Sequence, residues 1–78
     1  MTKDEAIAIA VQLELVRKRC YFAWQNARVD EKGRGLIDVI TDATQPTVSG
    51  WFEQTGAMLT RFEQIPGQIF IECWFDWK

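Results

Sequence analysis

Apolar residues in the first third of the chain recur at spacings of three and four, which is typical of a helix that buries one side. This stripe contains Ala6, Ile9, Ala10, Leu13, Val16, Cys20, Trp24 and Ala27. Thr2 and Glu5 match a capping box, in which each residue satisfies the backbone amide of the other. The sequence therefore predicts a helix from Thr2 to about Arg28, ended by Gly33 and Gly35.

A second, partial stripe runs along the same predicted helix through Ile7, Val11, Leu15 and Phe22. A helix that is apolar on two sides is either sandwiched within its own domain or shared with another subunit. The pattern leaves both arrangements open.

Residues 68–78 alternate at period two and are rich in aromatic and β-branched side chains, which predicts a strand. One side of this strand carries Ile69, Ile71, Cys73, Phe75 and Trp77, and the other carries Gln68, Phe70, Glu72, Trp74 and Asp76. Residues 36–41 form a second, shorter run with strand character.

Residues 48–64 allow two interpretations. As a helix, they would place on one face Val48, Trp51, Phe52, Thr55, Leu59 and Phe62. As two strands, residues 48–54 and 57–64 would form a hairpin across Thr55 and Gly56, and a turn at Pro66 and Gly67 would lead into the last strand. The strands are favoured, because residues 48–56 contain mostly weak helix formers.

The predicted fold is a single α+β domain over residues 1–78, with a long N-terminal helix packed on a three- to four-stranded antiparallel sheet. The sheet face expected against the helix collects Ile37, Val39, Phe52, Met58, Phe62, Ile69, Ile71, Cys73 and Phe75. The face expected to stay open collects Trp51, Glu53, Arg61, Glu63, Phe70, Glu72, Trp74 and Asp76. Antiparallel sheets permit one covered and one open face.

The lack of histidine is the strongest exclusion that the composition makes. Without imidazole the chain can assemble neither a Ser–His or Cys–His nucleophile pair nor a histidine metal site. Cys20 and Cys73 lie far apart and have no partners at metal-ligand spacing, so both are expected to be small buried apolar residues. We therefore expect a protein that is not an enzyme and that holds no cofactor or metal.

Charge is unevenly distributed, although the net charge is only −2. Residues 1–35 carry seven basic and five acidic groups, whereas residues 36–78 carry two basic and six acidic groups. An acidic half suits a basic protein surface better than a phosphate backbone. No apolar run is long enough to cross a membrane and no signal-peptide pattern occurs, so a cytoplasmic location is expected. Homodimerisation would add to the modest stability expected of so small a core.

The expected open face mixes tryptophan and phenylalanine with carboxylates. Aromatic side chains are enriched among interface anchors, and surrounding carboxylates would select a basic partner. The sequence thus predicts a small protein-binding module, of the inhibitor, immunity or mobile-element accessory type, that docks a basic protein surface. The residues expected to bind this partner are Trp51, Glu53, Phe70, Glu72, Trp74 and Asp76.

Residues 42–51, Asp-Ala-Thr-Gln-Pro-Thr-Val-Ser-Gly-Trp, favour an alternative function. The string resembles the turn and recognition-helix entry of Cro/repressor-type helix-turn-helix proteins. This resemblance implies a small DNA-binding repressor that uses residues 44–51, in which Gln45, Thr47 and Ser49 reach bases or phosphates. It also implies that Val48 and Trp51 pack inward.

Overall fold

A computed structural model describes residues 1–78 and shows two helices and four strands. In chain order these are α1 (Lys3–Val16), β1 (Phe22–Val29), β2 (Gly35–Thr41), α2 (Gln45–Gln54), β3 (Ala57–Gln64) and β4 (Ile71–Trp77). The strands form one sheet in the order β1-β2-β4-β3, and every neighbouring pair is antiparallel. The predicted α+β fold with its antiparallel sheet is confirmed. The N-terminal helix has 14 residues and is shorter than expected.

Helix α1 begins at the predicted capping box. The Glu5 amide donates to the Thr2 hydroxyl over 3.2 Å, and the Thr2 amide donates to Glu5 Oε1 over 2.8 Å. The helix ends at Val16, so its predicted continuation to Arg28 is wrong.

The second half of the predicted helix is strand β1 in the structure. A β-bulge interrupts the alternation of this strand, so its sequence does not show a regular period of two. Core-facing positions run through Phe22 and Trp24, the register shifts between Gln25 and Arg28, and Ala27 and Val29 then return to the core face. A bulge adds one residue to one strand of a pair, so a step of two becomes a step of three. The core-facing residues of β1 are therefore spaced by two, three and two positions, and the step of three from Trp24 to Ala27 is also a spacing that a helix would give.

The two interpretations of residues 48–64 each hold for half of the segment. The first half is α2, which buries Val48, Trp51 and Phe52, and the second half is β3. Gly56, with φ of +85°, ends the helical segment, so the predicted hairpin across Thr55 and Gly56 is wrong. Burial of three large apolar side chains overrides the weak helix propensity of this segment, because packing supplies most helix stability in proteins.

Both helices cover the same face of the sheet and enclose the core. The sheet contributes Ile37, Val39, Cys73 and Phe75, all fully buried as predicted, and the Phe75 ring lies 5.0 Å from that of Phe52 on α2. Phe62 and Ile71 pack at the margin of the core. The prediction was wrong for Met58 and Ile69, which are exposed.

The opposite face of the sheet is covered by no element of the chain, and we call it the open face. Neither helix is long and apolar enough to span a bilayer.

Candidate functional site

Side chains from all four strands meet on the open face, where the strand register arranges them in two rows. The first, which we call the acidic row, crosses three neighbouring strands through Asp38, Glu72 and Glu63. The second, which we call the tryptophan row, contains Arg28, Leu36, Trp74 and Arg61. Three carboxylates thus lie beside a row in which an indole ring and a leucine are flanked by two guanidinium groups.

Arginines hold the acidic row together at both ends. Arg28 approaches Asp38 to 3.2 Å and Glu72 to 3.7 Å, and Arg61 forms an ion pair with Glu63. The amide of Asn26 also donates to Asp38 over 3.2 Å. Like charges directly opposite each other across strands are destabilising, so these contacts offset the repulsion within the row. Three carboxylates against two guanidinium groups leave the row with excess negative charge.

Trp74 stands at the centre of the open face and is half-buried. Arg61 covers one side of its ring at 4.6 Å, which is within the range of a cation–π contact. Leu36, its neighbour on β2, is buried on this face although it lies outside the core. At the end of β4, Asp76 faces the exposed Met58. The open face therefore combines apolar surface with unequal charge.

The structure brings together three of the six residues that the sequence proposed for partner binding. Glu72, Trp74 and Asp76 share the open face on β4. Phe70 immediately precedes β4, is half-buried, and accepts a hydrogen bond at its carbonyl from Gln64 over 3.3 Å.

Trp51 and Glu53 lie on the other side of the sheet because their segment is helix α2, which packs on the core face. Trp51 is only 4% exposed and packs edge-on against Phe22, with the ring centroids 5.7 Å apart. Its prediction as an exposed anchor is wrong. Glu53 is exposed on α2, where its carboxylate lies 3.9 Å from the Lys78 ammonium.

Arg28 and Asp38 belong to the site, although the sequence does not predict them there. The pattern of residues 22–28 predicts a helix, so it does not place Arg28 on the sheet. Asp38 could have been found, since it alternates with Ile37 and Val39 in a segment already predicted to be a strand. The alignment of Asp38 with Glu72 and Glu63 depends on the cross-strand register, which cannot be read from the sequence.

The residues proposed for DNA contact lie at the start of α2. Gln45 and Thr47 are exposed and Ser49 is half-buried, while Val48 and Trp51 pack inward as the resemblance implied. The preceding element is β2, a strand, so the helix-turn-helix predicted from residues 42–51 is not formed. No arginine or lysine occurs between Gly35 and Arg61, which leaves α2 without a cation of its own.

The two cysteines are unpaired thiols in different environments. Burial raises the pKa of Cys73 to about 12, and the negative charge of Asp38 adds to the shift. Cys20 is half-buried in the segment after α1. No three cysteine, aspartate or glutamate side chains, those of the acidic row included, are arranged so that they could hold a metal ion. The surface has no pocket.

Comparison with known proteins finds no matching family model, no matching curated protein and no matching solved structure. The functional inferences below therefore rest on the residues of this chain and their arrangement.

Proposed function

We propose that the protein is a non-enzymatic binding module that docks a basic protein surface on the open face of its sheet. The chain has the size of small inhibitors, immunity proteins and accessory proteins of mobile elements, and we propose that it acts by covering a functional surface of the partner. The observation that carries the proposal is the acidic row lying directly beside Trp74 on an uncovered face.

The proposed mechanism is steric and electrostatic. Trp74, together with the exposed Met58 further along the face, offers apolar contact area, and indole rings are strongly enriched among the residues that dominate interface energies. The acidic row and Asp76 offer carboxylates for lysine or arginine side chains of the partner. Opposite charges across an interface raise the association rate and select the partner. Trp51 and Glu53 have no part in this surface, since they lie on α2.

The test compares two double variants that carry the same chemical changes at different places. Glu72→Lys with Trp74→Ala alters the open face. Glu53→Lys with Trp77→Ala changes an exposed carboxylate and an exposed indole outside the two rows. The probe is a fluorescent arginine-rich peptide, and the readout is its dissociation constant by anisotropy.

The open-face variant is expected to bind the peptide about thirtyfold or more weakly, since truncating an anchor costs ~2 kcal/mol or more. The control variant, Glu53→Lys with Trp77→Ala, is expected to bind like the wild type. Equal affinities of the two variants would refute the assignment of the site, and failure of the wild type to bind cationic peptides or resin would refute the proposed function.

DNA binding by α2 is the second candidate, and its support is the exposure of Gln45 and Thr47 at the start of a helix. This candidate predicts that the protein lowers the electrophoretic mobility of duplex DNA in a salt-dependent way and that it is retained on heparin, because phosphate contacts dominate non-specific affinity. Gln45→Ala with Thr47→Ala would abolish the shift. A protein that binds no DNA at low salt would exclude this candidate.

A further inference from the structure

The basic side chains on the open face are both arginines, and no lysine occurs on any of the four strands. Arg28 lies at one end of the acidic row, and Arg61 lies over the Trp74 ring. These two side chains show, within the protein itself, how the open face binds a basic group. In both cases a planar guanidinium group makes two contacts at once.

Arg28 spans two carboxylates that lie directly opposite each other on neighbouring strands. Its Nη1 atom lies 3.2 Å from Asp38 on β2, and its Nη2 atom lies 3.7 Å from Glu72 on β4. The N–H donors of a guanidinium group have a fixed fork geometry, which lets one side chain serve two acceptors. A cross-strand pair of carboxylates on this sheet therefore accommodates one arginine.

A second pair of the same kind lies in the same row. Glu63 on β3 is directly opposite Glu72, and no guanidinium group of the chain spans these two carboxylates. Arg61 pairs with Glu63 alone. The 3.7 Å contact from Arg28 is too long to be a hydrogen bond, and only 22% of the Glu72 side chain is exposed. Glu72 therefore keeps an acceptor that no donor of the chain satisfies.

We infer that the group selected by the open face is an arginine rather than a lysine, and that its guanidinium group spans Glu63 and Glu72. This inference rests on the proposed function, since it names the side chain that the same face binds. The arginine of the partner replaces Arg61 on the Trp74 ring and at Glu63, and it also donates to Glu72. A lysine ammonium is a compact, strongly hydrated charge without a planar face to stack on an indole. The open face thus distinguishes two side chains of equal charge.

Three fluorescent peptides test the inference through their dissociation constants with the wild-type protein, measured by anisotropy. They carry arginine, lysine or dimethylarginine at the same positions and have the same charge, because methylation retains the charge of arginine but blocks bidentate hydrogen bonding. The arginine peptide is expected to bind about tenfold more tightly than either of the others, which is the effect of one further hydrogen bond to a charged group. Equal affinities of the arginine peptide and either other peptide would overturn this inference and leave the proposed function standing. A protein that binds none of the three would overturn both.

Two single substitutions locate the arginine on the open face. Glu63→Gln removes one carboxylate of the pair and is expected to abolish most of the preference for the arginine peptide over the lysine peptide. Asp76→Asn is the matched control, because it removes the same charge on the same face outside the acidic row. This control is expected to weaken both peptides alike and to keep the preference. Circular dichroism checks that both variants are folded. A preference that survives Glu63→Gln, or that Asp76→Asn lowers as much, would overturn the assignment to Glu63 and Glu72.

Discussion

The guanidinium group of Arg61 lies over the indole ring of Trp74, with its central carbon 4.6 Å from the ring centroid. The two residues are paired across β3 and β4, and Arg61 also forms an ion pair with Glu63. Arg61 thus covers the Trp74 ring and pairs with Glu63. We propose that an arginine of the partner contacts the same two groups.

Removing this arginine is expected to strengthen partner binding. Arg61→Ala should bind an arginine-rich peptide about threefold to fivefold more tightly, because a competing contact worth ~0.5–1 kcal/mol is lost and the face becomes more acidic. Lys3→Ala removes the same charge at an exposed position on α1 and serves as the control. Weaker binding of Arg61→Ala in a peptide titration would show that Arg61 supports the site rather than competing for it.

Gly35 is expected to tolerate no side chain, because it lies opposite Phe75 on β4. A Cβ atom at this position would lie 2.6 Å from the Phe75 Cζ atom and 2.7 Å from the Met1 sulfur. Gly35→Ala should lower the free energy of unfolding by about 1–3 kcal/mol, the usual cost of overpacking a core.

Gly50 supplies the control for this prediction, measured in the same urea titrations. It lies within α2, and a Cβ atom there would meet nothing within 4 Å. Gly50→Ala should therefore raise the free energy of unfolding by about 0.5–1 kcal/mol through helix propensity. Equal effects of the two substitutions would contradict the packing described for Gly35.

The buried thiol of Cys73 predicts a loss of stability at alkaline pH. Its pKa is raised from 9.0 to about 12 by burial, so the unfolded chain releases the thiol proton above pH 9 while the folded chain retains it. Stability from this group is complete below pH 9 and declines as the pH rises towards 12, by up to ~1.4 kcal/mol per unit. In urea titrations above pH 9, Cys73→Ala should lose less stability per pH unit than the wild type. Parallel losses would contradict the burial of a protonated thiol.

Asp30 organises the turn between β1 and β2 and predicts an effect in acid. Desolvation raises the pKa of Asp30, but hydrogen bonds from the Arg34 backbone and side chain and from the Lys32 amide outweigh it, so the pKa lies below 3.8. The stability that this carboxylate contributes is present above pH 3.8 and is lost as the pH falls through the lowered pKa. An NMR titration should show the low pKa, and Arg34→Ala should raise it. An unchanged pKa in that variant would contradict the role of Arg34.

The sequence predicts best where the alternation of side chains is regular. Strand β4 and the strand character of β2 follow from their period of two, and the opposite faces of β4 give both the buried Cys73 and the half-exposed Trp74. The α1 capping box is equally local, since Thr2 and Glu5 bond each other.

The features that the sequence does not predict depend on contacts between distant segments of the chain. The bulge of β1 interrupts its alternation, and only pairing with β2 makes residues 22–29 a strand. Helix α2 forms because Trp51 and Phe52 bury against Phe22 and Phe75, two rings from other elements. The acidic row likewise depends on the register that aligns Asp38 with Glu72.

The most direct test of the proposed function is an NMR titration with the arginine-rich peptide, which follows the signals of the backbone amides and of the tryptophan indole N–H groups. We predict that the largest shifts occur at Glu63, Glu72 and the indole of Trp74, and that the buried indole of Trp51 stays unchanged. Shifts confined to Gln45 and Thr47, or no shifts at all, would contradict binding on the open face.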